Sequence, residues 1–149
     1  MQKIIFISFI LLFFYLDLAS AEDKDFLTLR YDIVNLRQGP SKDYPIKIFY
    51  KKKFLPVQIK DSSDNFRKVK DHENNSGWIH ISQLAKRKAA IVTGGDLIMF
   101  KSNTIYSNPI VVLKEGRLVK IDKCKLMWCK VRTGNFKGWV KNHDLWGLF

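Results

Sequence analysis

An internal repeat constrains the fold of this chain more than any other feature of its sequence. Gly77-Trp78-Ile79 recurs in the second half as Gly138-Trp139-Val140. Val57-Gln58-Ile59 recurs at nearly the same spacing as Val119-Lys120-Ile121. The spacing between the copies is longer than the periods of solenoid repeats, whereas it suits two tandem domains. The sequence therefore predicts two copies of one small unit.

Short alternating runs within each copy predict strands rather than helices. Val34-Asn35-Leu36-Arg37 and Phe66-Arg67-Lys68-Val69 alternate apolar and polar residues in the first copy, and Trp128-Cys129-Lys130-Val131 does so in the second. Turn-forming residues separate the runs, as in Asp61-Ser62-Ser63-Asp64-Asn65. Such a pattern indicates hairpins. About five strands per copy would close as a small barrel, because closure removes exposed edges.

Residues 1–21 resemble a secretory signal peptide in composition. A single positive charge at Lys3 precedes an apolar run from Ile4 to Leu16, and Ala19-Ser20-Ala21 then supplies a small-x-small exit. This run is shorter than the roughly 20 apolar residues that span a bilayer, which disfavours a permanent anchor. We therefore expect cleavage after Ala21, secretion across the inner membrane into the periplasm, and no integral membrane span in the mature protein.

Two cysteines, Cys124 and Cys129, are separated by four residues. A close, even pair in an exported protein predicts a disulfide. A metal site would need further Cys or His residues nearby, and a redox site would favour the C-x-x-C spacing. We interpret the pair as a structural clip across the base of a hairpin, where the two residues would lie close enough to bond.

The chain is strongly basic, with a formal net charge of +12. Removal of the predicted signal leaves this charge unchanged, because Lys3 and Asp17 cancel. Lysine and arginine cluster at Lys51-Lys52-Lys53 and Lys86-Arg87-Lys88. In the cytosol such clusters would suggest nucleic acid, which export excludes as a partner. Weak binding to an anionic surface remains a candidate, through lipid head groups, lipopolysaccharide or peptidoglycan carboxylates. A merely solvated lysine-rich surface is the alternative.

Several motifs, taken in order, resemble bacterial SH3-like (SH3b) domains, in particular exported proteins with two such domains in tandem. The stretch from Val34 to Ser41 is similar to the opening motif of an SH3b domain, and the stretch from Gly77 to Leu84 is similar to its closing motif. Residues 124–131, with Gly138-Trp139-Val140 and Leu145-Trp146-Gly147, resemble the second domain of that tandem group. The resemblance implies barrels of five to six strands, and binding or targeting near the cell wall rather than catalysis.

The second copy departs from this pattern at its start. Met99-Phe100-Lys101-Ser102 stands where the first copy has the Asn-Leu-Arg-x-Gly-Pro opening, and Phe66 replaces a more usual Trp. A binding role tied to the opening motif is therefore expected of the first domain alone. The predicted organisation is all-β, with two tandem SH3-like barrels after the signal peptide. Its segments are a signal peptide (1–21), a short linker (22–28), the first barrel (29–86), a linker or connecting strand (87–95) and the second barrel (96–149).

The candidate ligand-binding residues lie in the first copy. Arg37, beside Gly39-Pro40, should project from the polar side of its strand into a groove, although a structural salt bridge is an equal alternative. Tyr44, Tyr50 and Trp78 could line the same groove, because amphipathic aromatic side chains suit peptides and sugars. Their alternative role is to fill a barrel that has few aliphatic core residues.

No residues with a catalytic, metal-binding or cofactor-binding pattern emerge from the sequence. The histidines His72, His80 and His143 have no second ligand at the spacing of a metal site, and the thiols are better explained by their mutual bond. We expect a non-catalytic exported protein that binds or scaffolds, engaging a cell-wall peptide or an envelope protein partner. The alternative is an accessory or regulatory subunit of a separate peptidoglycan enzyme.

Overall fold

The computed structural model describes residues 25–148. The predicted signal peptide (1–21), its cleavage site at Ala21 and the first three residues of the linker 22–28 lie outside these residues. Within 25–148, no helix has the length and apolar composition needed to cross a membrane.

Nearly all of the regular structure is strand, which confirms the all-β prediction. The first half of the described chain forms seven strands: β1 (Phe26–Leu29), β2 (Val34–Arg37), β3 (Ile46–Tyr50), β4 (Pro56–Ser63), β5 (Phe66–Lys70), β6 (Ser76–His80) and β7 (Leu84–Ala85). The second half forms seven more: β8 (Ala89–Val92), β9 (Leu97–Phe100), β10 (Pro109–Leu113), β11 (Leu118–Lys125), β12 (Trp128–Thr133), β13 (Phe136–Lys141) and β14 (Leu145–Trp146). A single 3₁₀ turn within the described chain, Ile81–Gln83, precedes β7.

Each half builds one antiparallel sheet, and the two sheets have the same strand order. The first runs β3-β2-β6-β5-β4-β1-β7, and the second runs β10-β9-β13-β12-β11-β8-β14. Both long strands, β4 and β11, carry a bulge at the same place, after Ile59 and after Ile121. The sequence repeat is thus a repeat of structure that includes the irregularities of strand pairing.

The sheets contain seven strands where the family resemblance implied five or six. The additional pairings come from short end strands, since β7 and β14 have two residues each and pair with β1 and β8. A run of two residues is too short to show the alternation of apolar and polar residues from which a strand is predicted. Residues 87–95, expected to be a linker or connecting strand, contain β8, which pairs with β11 inside the second sheet.

The recurring glycine of the Gly-Trp motif has a steric explanation. A Cβ placed on Gly77 would lie 2.6 Å from the carbonyl oxygen of Arg37, and one on Gly138 would lie 2.6 Å from that of Phe100. Strands β6 and β2, like β13 and β9, approach too closely for any side chain at this point. The motif therefore marks the crossing at which each sheet bends around its core.

Each sheet encloses a core of fully buried aliphatic side chains. The first core contains Leu29, Leu36, Val57 and Ile79, and the second contains Met99, Val119, Val131 and Val140 among others. Burial of one such side chain contributes about 1.5–3 kcal/mol. Small units of about 60 residues are marginal by themselves, so contacts between the two units also matter for stability.

The two units share apolar contacts across their junction. Ile91 of β8 is fully buried and belongs to the core of the first unit, with Leu118 of β11 packed beside it. The ring of Trp146 meets that of Phe26 edge-on at 4.9 Å. Gly147 lies so close to Pro56 that a Cβ there would approach the proline ring to 2.7 Å. The barrels therefore pack as neighbours that complete each other's apolar surface.

Candidate binding groove on the first barrel

A polar groove runs along the first barrel beside the end of β6. It consists of two adjoining hollows of about 300 and 420 Å³, and both are lined by Lys42, Phe66 and His80. Strands β2, β5 and β6 place Asn35, Phe66 and His80, and the loop after β2 places Lys42. The polar groove is defined by Asn35, Arg37, Lys42, Phe66, His80 and Ser82.

Arg37 lies in this groove and holds the loop that follows β2. Its Nη1 donates hydrogen bonds to the carbonyl oxygens of Lys42, at 3.0 Å, and of Tyr44, at 2.8 Å. Across residues 25–148 no hydrogen bond is formed by its Nε or Nη2. Guanidinium groups carry five N–H donors in a fixed fork, so Arg37 can hold the loop and still offer donors to a ligand.

The orientation of His80 is fixed by the 3₁₀ turn. Its Nδ1 accepts a hydrogen bond from the backbone N–H of Ser82 at 3.2 Å and lies 2.7 Å from the hydroxyl of the same residue. The contact with the backbone N–H requires an unprotonated Nδ1, so in the neutral ring the proton lies on Nε2. The ring meets Phe66 edge-on at 5.1 Å. His80 therefore combines a structural role with an N–H donor at the groove.

The four residues proposed from the sequence do not all lie together. Arg37 lines the groove. Tyr44 is 47% exposed, and its ring covers Gly39, where a Cβ would lie 2.5 Å from the ring. Trp78 is half-buried, and its backbone pairs with that of Arg37, but its side chain lies outside the groove lining.

Tyr50 has a different environment, in the interior of the barrel. It is 8% exposed and belongs to the first core, and its hydroxyl donates a 2.8 Å hydrogen bond to Asp71, which is 2% exposed. Burial, and then the hydrogen bond to the Asp71 carboxylate, raise the pKa of this hydroxyl far above its ordinary value. Asp71 also accepts hydrogen bonds from the backbone N–H groups of Glu73 and Asn75, which orders the loop before β6.

Lys42, Phe66 and Ser82 are groove residues that the sequence does not single out. Phe66 and His80 are opposite one another on β5 and β6, in the pairing that also aligns Val69 with Gly77. Strand pairing predicted from the repeat could have placed Phe66 beside His80. Lys42 lies in an irregular loop, whose path no strand pattern reveals.

The second barrel fills the equivalent place with aromatic rings. Phe100 is paired with Trp139 as Arg37 is with Trp78, and Trp128 is opposite Lys141 as Phe66 is opposite His80. The rings of Phe100 and Trp128 contact each other edge-on at 5.8 Å. A ring thus stands where the first barrel has its guanidinium.

Among residues 25–148, no group of three or more His, Cys, Asp or Glu side chains is placed to hold a metal ion. The predicted disulfide between Cys124 and Cys129 is confirmed. It joins facing residues of β11 and β12 close to the turn of their hairpin, one residue pair before the tip, so neither cysteine carries a free thiol.

The topology and the groove define a protein of two small β-barrels that present loops and an open polar surface. The chain belongs to the bacterial SH3 domain family, whose model matches residues 30–86 and 105–147. The second match begins after β8 and β9, and β9 is the strand in which the second copy departs from the opening motif. Domains of this family are in general binding modules, associated with cell-wall material.

Comparisons with curated proteins and solved structures add little to this assignment. No curated protein matches the chain. The solved structure of NlpC2 from Trichomonas vaginalis matches at 12% identity with a TM-score of 0.38, covering 85% of this chain and 49% of that one. NlpC1 from the same organism matches at 12% identity with a TM-score of 0.37, covering 85% and 47%. This chain spans about half the length of those two proteins.

Proposed function

We propose that this protein is a non-catalytic, exported binding protein whose first barrel holds an envelope ligand bearing a carboxylate, such as a cell-wall peptide. The observation that carries the proposal is the polar groove, in which Arg37, Lys42 and the Nε2–H of His80 provide donors beside the ring of Phe66. Arginine and lysine are the usual partners of carboxylates, and an aromatic wall suits the apolar part of a peptide.

Export and the absence of catalysis are part of the same proposal. The signal-like N-terminus supports export, as does the disulfide, because such bonds persist in oxidising compartments such as the periplasm. The two cysteines are bonded to each other and are therefore unavailable as nucleophiles. The Nδ1 of His80 accepts a hydrogen bond from the backbone N–H of Ser82, so while the ring is neutral this nitrogen is not free to act as a general base.

The direct test is co-sedimentation of the purified protein with isolated peptidoglycan sacculi, repeated in competition with muropeptides released from them. We expect binding at low salt that soluble muropeptides displace. The sharpest variant is Lys42→Glu, because the side chain of Lys42 is exposed and only its backbone carbonyl holds Arg37. A reversed charge beside a ligand carboxylate should lower the affinity about tenfold, or about 1.4 kcal/mol.

Lys101→Glu is the matched control, since Lys101 is an exposed lysine in the equivalent loop of the second barrel. It makes the same change in net charge, so equal losses of affinity in both variants would show non-specific attraction rather than a groove. Failure of the unmodified protein to sediment at low salt removes the wall ligand from the proposal. Crosslinking from position 42 in envelope extracts would then identify a protein partner, and a peptidoglycan enzyme as that partner would support the accessory role.

A further inference from the structure

The tip of the β11–β12 hairpin in the second barrel presents apolar side chains to solvent. Leu126 and Met127 are 87% and 68% exposed. Leu126 also has φ = 52°, in the left-handed region, which costs a residue with a side chain roughly 1–2 kcal/mol. The equivalent tip of the first barrel is Asp64-Asn65, with Asp64 at φ = 44°. Apart from glycine, Asp and Asn are the residues that tolerate this conformation best.

The second barrel therefore places apolar residues where its own fold favours polar ones. Neither exposed side chain belongs to a core cluster of the described chain. Apolar residues at a position that favours polar ones reduce stability unless they are buried. Since these two are not buried, they are candidates for a functional role. We define these two residues as the apolar tip.

Contacts from two sides hold the apolar tip in place. The disulfide closes the hairpin two residues before Leu126 and two after Met127. On the other side, the backbone N–H of Asn142 donates to the carbonyl oxygen of Met127, and its Nδ2 donates to that of Leu126, both at 3.0 Å. Because the backbone is restrained, little further ordering is needed for the tip to dock on a surface.

The hairpin that carries the apolar tip is basic. Between residues 118 and 133 it has four lysines and one arginine against a single acid, Asp122. Asp122 lies at the bulge, four residues before Leu126, and is already paired with Arg132 and Lys137. Nearest the tip, Lys123, Lys125 and Lys130 flank the disulfide on both strands, and the one carboxylate of the hairpin is paired with Arg132 and Lys137 rather than with them, so the local charge is positive.

We propose that the apolar tip docks on an anionic lipid surface. Leu126 and Met127 would enter the boundary between head groups and acyl chains, where each buried CH₂ contributes about 0.8 kcal/mol. Lys123, Lys125 and Lys130 would lie at the level of the head groups, where each lysine near an anionic leaflet contributes about 1 kcal/mol, or about fivefold in affinity. The apolar and charged residues thus act at the two depths that a membrane interface offers.

The shape of this site favours a lipid surface over a folded protein. A specific protein partner usually covers about 1,000 Å² or more with complementary shape, whereas this site is a protruding turn of two side chains. A protruding apolar turn surrounded by lysine needs only a soft, negatively charged boundary. The site lies on the other barrel from the polar groove, so it does not rest on the function proposed for that groove.

The test compares vesicles of equal parts phosphatidylglycerol and phosphatidylcholine with vesicles of phosphatidylcholine alone. The unmodified protein and every variant are purified from cells in the same way. They therefore share the same N-terminus, and differences in vesicle binding come from the substituted residues. We expect sedimentation with the anionic vesicles, weakened by salt, and little with the neutral ones. The double variant Leu126→Asn/Met127→Asn should lower the partition coefficient by at least about tenfold, which corresponds to the loss of only about two buried CH₂ groups. It keeps the net charge and introduces residues suited to the left-handed turn, so the fold is expected to survive.

Tyr106→Asn is the matched control, because Tyr106 is a 90% exposed aromatic residue in another loop of the same barrel. It should bind vesicles as the unmodified protein does. Lys125→Gln should weaken binding to anionic vesicles about fivefold. The proposal is wrong if the protein ignores anionic vesicles at low salt, or if the Asn double variant binds as tightly as the unmodified protein. The second result would reduce the contact to general attraction by a basic surface.

Discussion

The two barrels have the same strand order and the same bulge on their long strands, yet several equivalent surface positions differ in character. On β2 and β3 the first barrel places Asn35 across from the exposed Phe49, with Lys47 two residues away. On β9 and β10 the second barrel places Ile98 across from Val112, and both are largely exposed. Together with the exchange of Arg37 for Phe100, the exchange of Asn35 for Ile98 makes this surface more apolar on the second barrel than on the first.

The difference between the barrels separates what the fold requires from what it leaves free. The fold requires Gly77 and Gly138, since both positions lie against a backbone carbonyl on the neighbouring strand. It leaves free the outward residues of the opening strands and the tips of the long hairpins, and there the copies diverge. A polar groove on one barrel and an apolar tip on the other are consistent with the two separate contacts proposed above.

The largest expected effect tests whether the barrels are separate units at all. Ile91 belongs to the second sheet but is buried in the core of the first barrel. Ile91→Ala should lower the free energy of unfolding by about 3 kcal/mol, as for other buried aliphatic truncations. Hydrogen exchange of individual amides should then show faster opening of β2 and β6, in the barrel that was not substituted.

Leu97→Ala is the control for this experiment, because Leu97 belongs to the second core. Its effect on exchange should be greatest in the second barrel. If Ile91→Ala left exchange in the first barrel unchanged, the barrels would be independent folding units and the shared contacts at their junction would carry no stability.

The second prediction concerns a buried polar pair that exists only in the first barrel. In the second barrel the position equivalent to Tyr50 is occupied by Leu113, which has no hydroxyl. Tyr50→Phe should cost about 2 kcal/mol, because it removes a hydrogen bond to the buried Asp71 carboxylate. Chemical denaturation at pH 7 measures this loss, and Tyr44→Phe, at an exposed tyrosine, should change stability by less than about 0.5 kcal/mol.

The pH dependence of Tyr50 follows from its raised pKa. The folded state favours the protonated hydroxyl, so the contribution of Tyr50 is fully present below the ordinary tyrosine pKa of about 10. It is lost progressively as the pH rises above that value toward the higher pKa of the folded state. The stability gap between the unmodified protein and Tyr50→Phe should therefore narrow above pH 10, and a constant gap would contradict the buried pair.

The third prediction exchanges the disulfide between the barrels. Replacement of Cys124 and Cys129 by Ser should cost about 2 kcal/mol by the chain-entropy model, with the loss confined to the second barrel in hydrogen exchange. Ser62 and Arg67 are paired in the first barrel as the two cysteines are in the second. The double variant Ser62→Cys/Arg67→Cys should accordingly form a disulfide in the first barrel. Mass spectrometry should show the loss of two hydrogen atoms, and the free energy of unfolding should rise by about 2 kcal/mol.

How far the sequence predicts this molecule depends on the scale of the feature. The Gly-Trp repeat and the alternation in Val34–Arg37 predict two all-β units, because they follow from strand geometry and close packing. The disulfide follows from the close spacing of the two cysteines together with the predicted export. The short strand β14 escapes prediction, since two residues show no alternation. Sequence reasoning assigns Tyr50 to a groove because aromatic character is visible in a sequence, whereas the buried Asp71 that engages it is 21 residues away and visible only in the fold.

The smallest expected effect lies at the bulge that both barrels share. The second barrel has Asp122 at this bulge, where the first has Lys60. Desolvation raises the pKa of the Asp122 carboxyl, but hydrogen bonds from Lys137 and Arg132 outweigh it and hold the pKa below its ordinary value. Its contribution is therefore present above the ordinary pKa, near 4, and is lost as the pH falls through the lower folded value.

Asp122→Asn should cost less than about 1 kcal/mol at neutral pH, since exposed ion pairs contribute little. Denaturation curves at pH 6 and at pH 2 measure the effect, and the gap between variant and unmodified protein should close at pH 2. Glu115→Gln, at an exposed acid with no ion pair within residues 25–148, is the control and should show no gap at either pH. A gap that persisted at pH 2 would mean that the bulge depends on the shape of the Asp122 side chain rather than on its charge. The second barrel's bulge would then differ from the first barrel's in packing as well as in electrostatics.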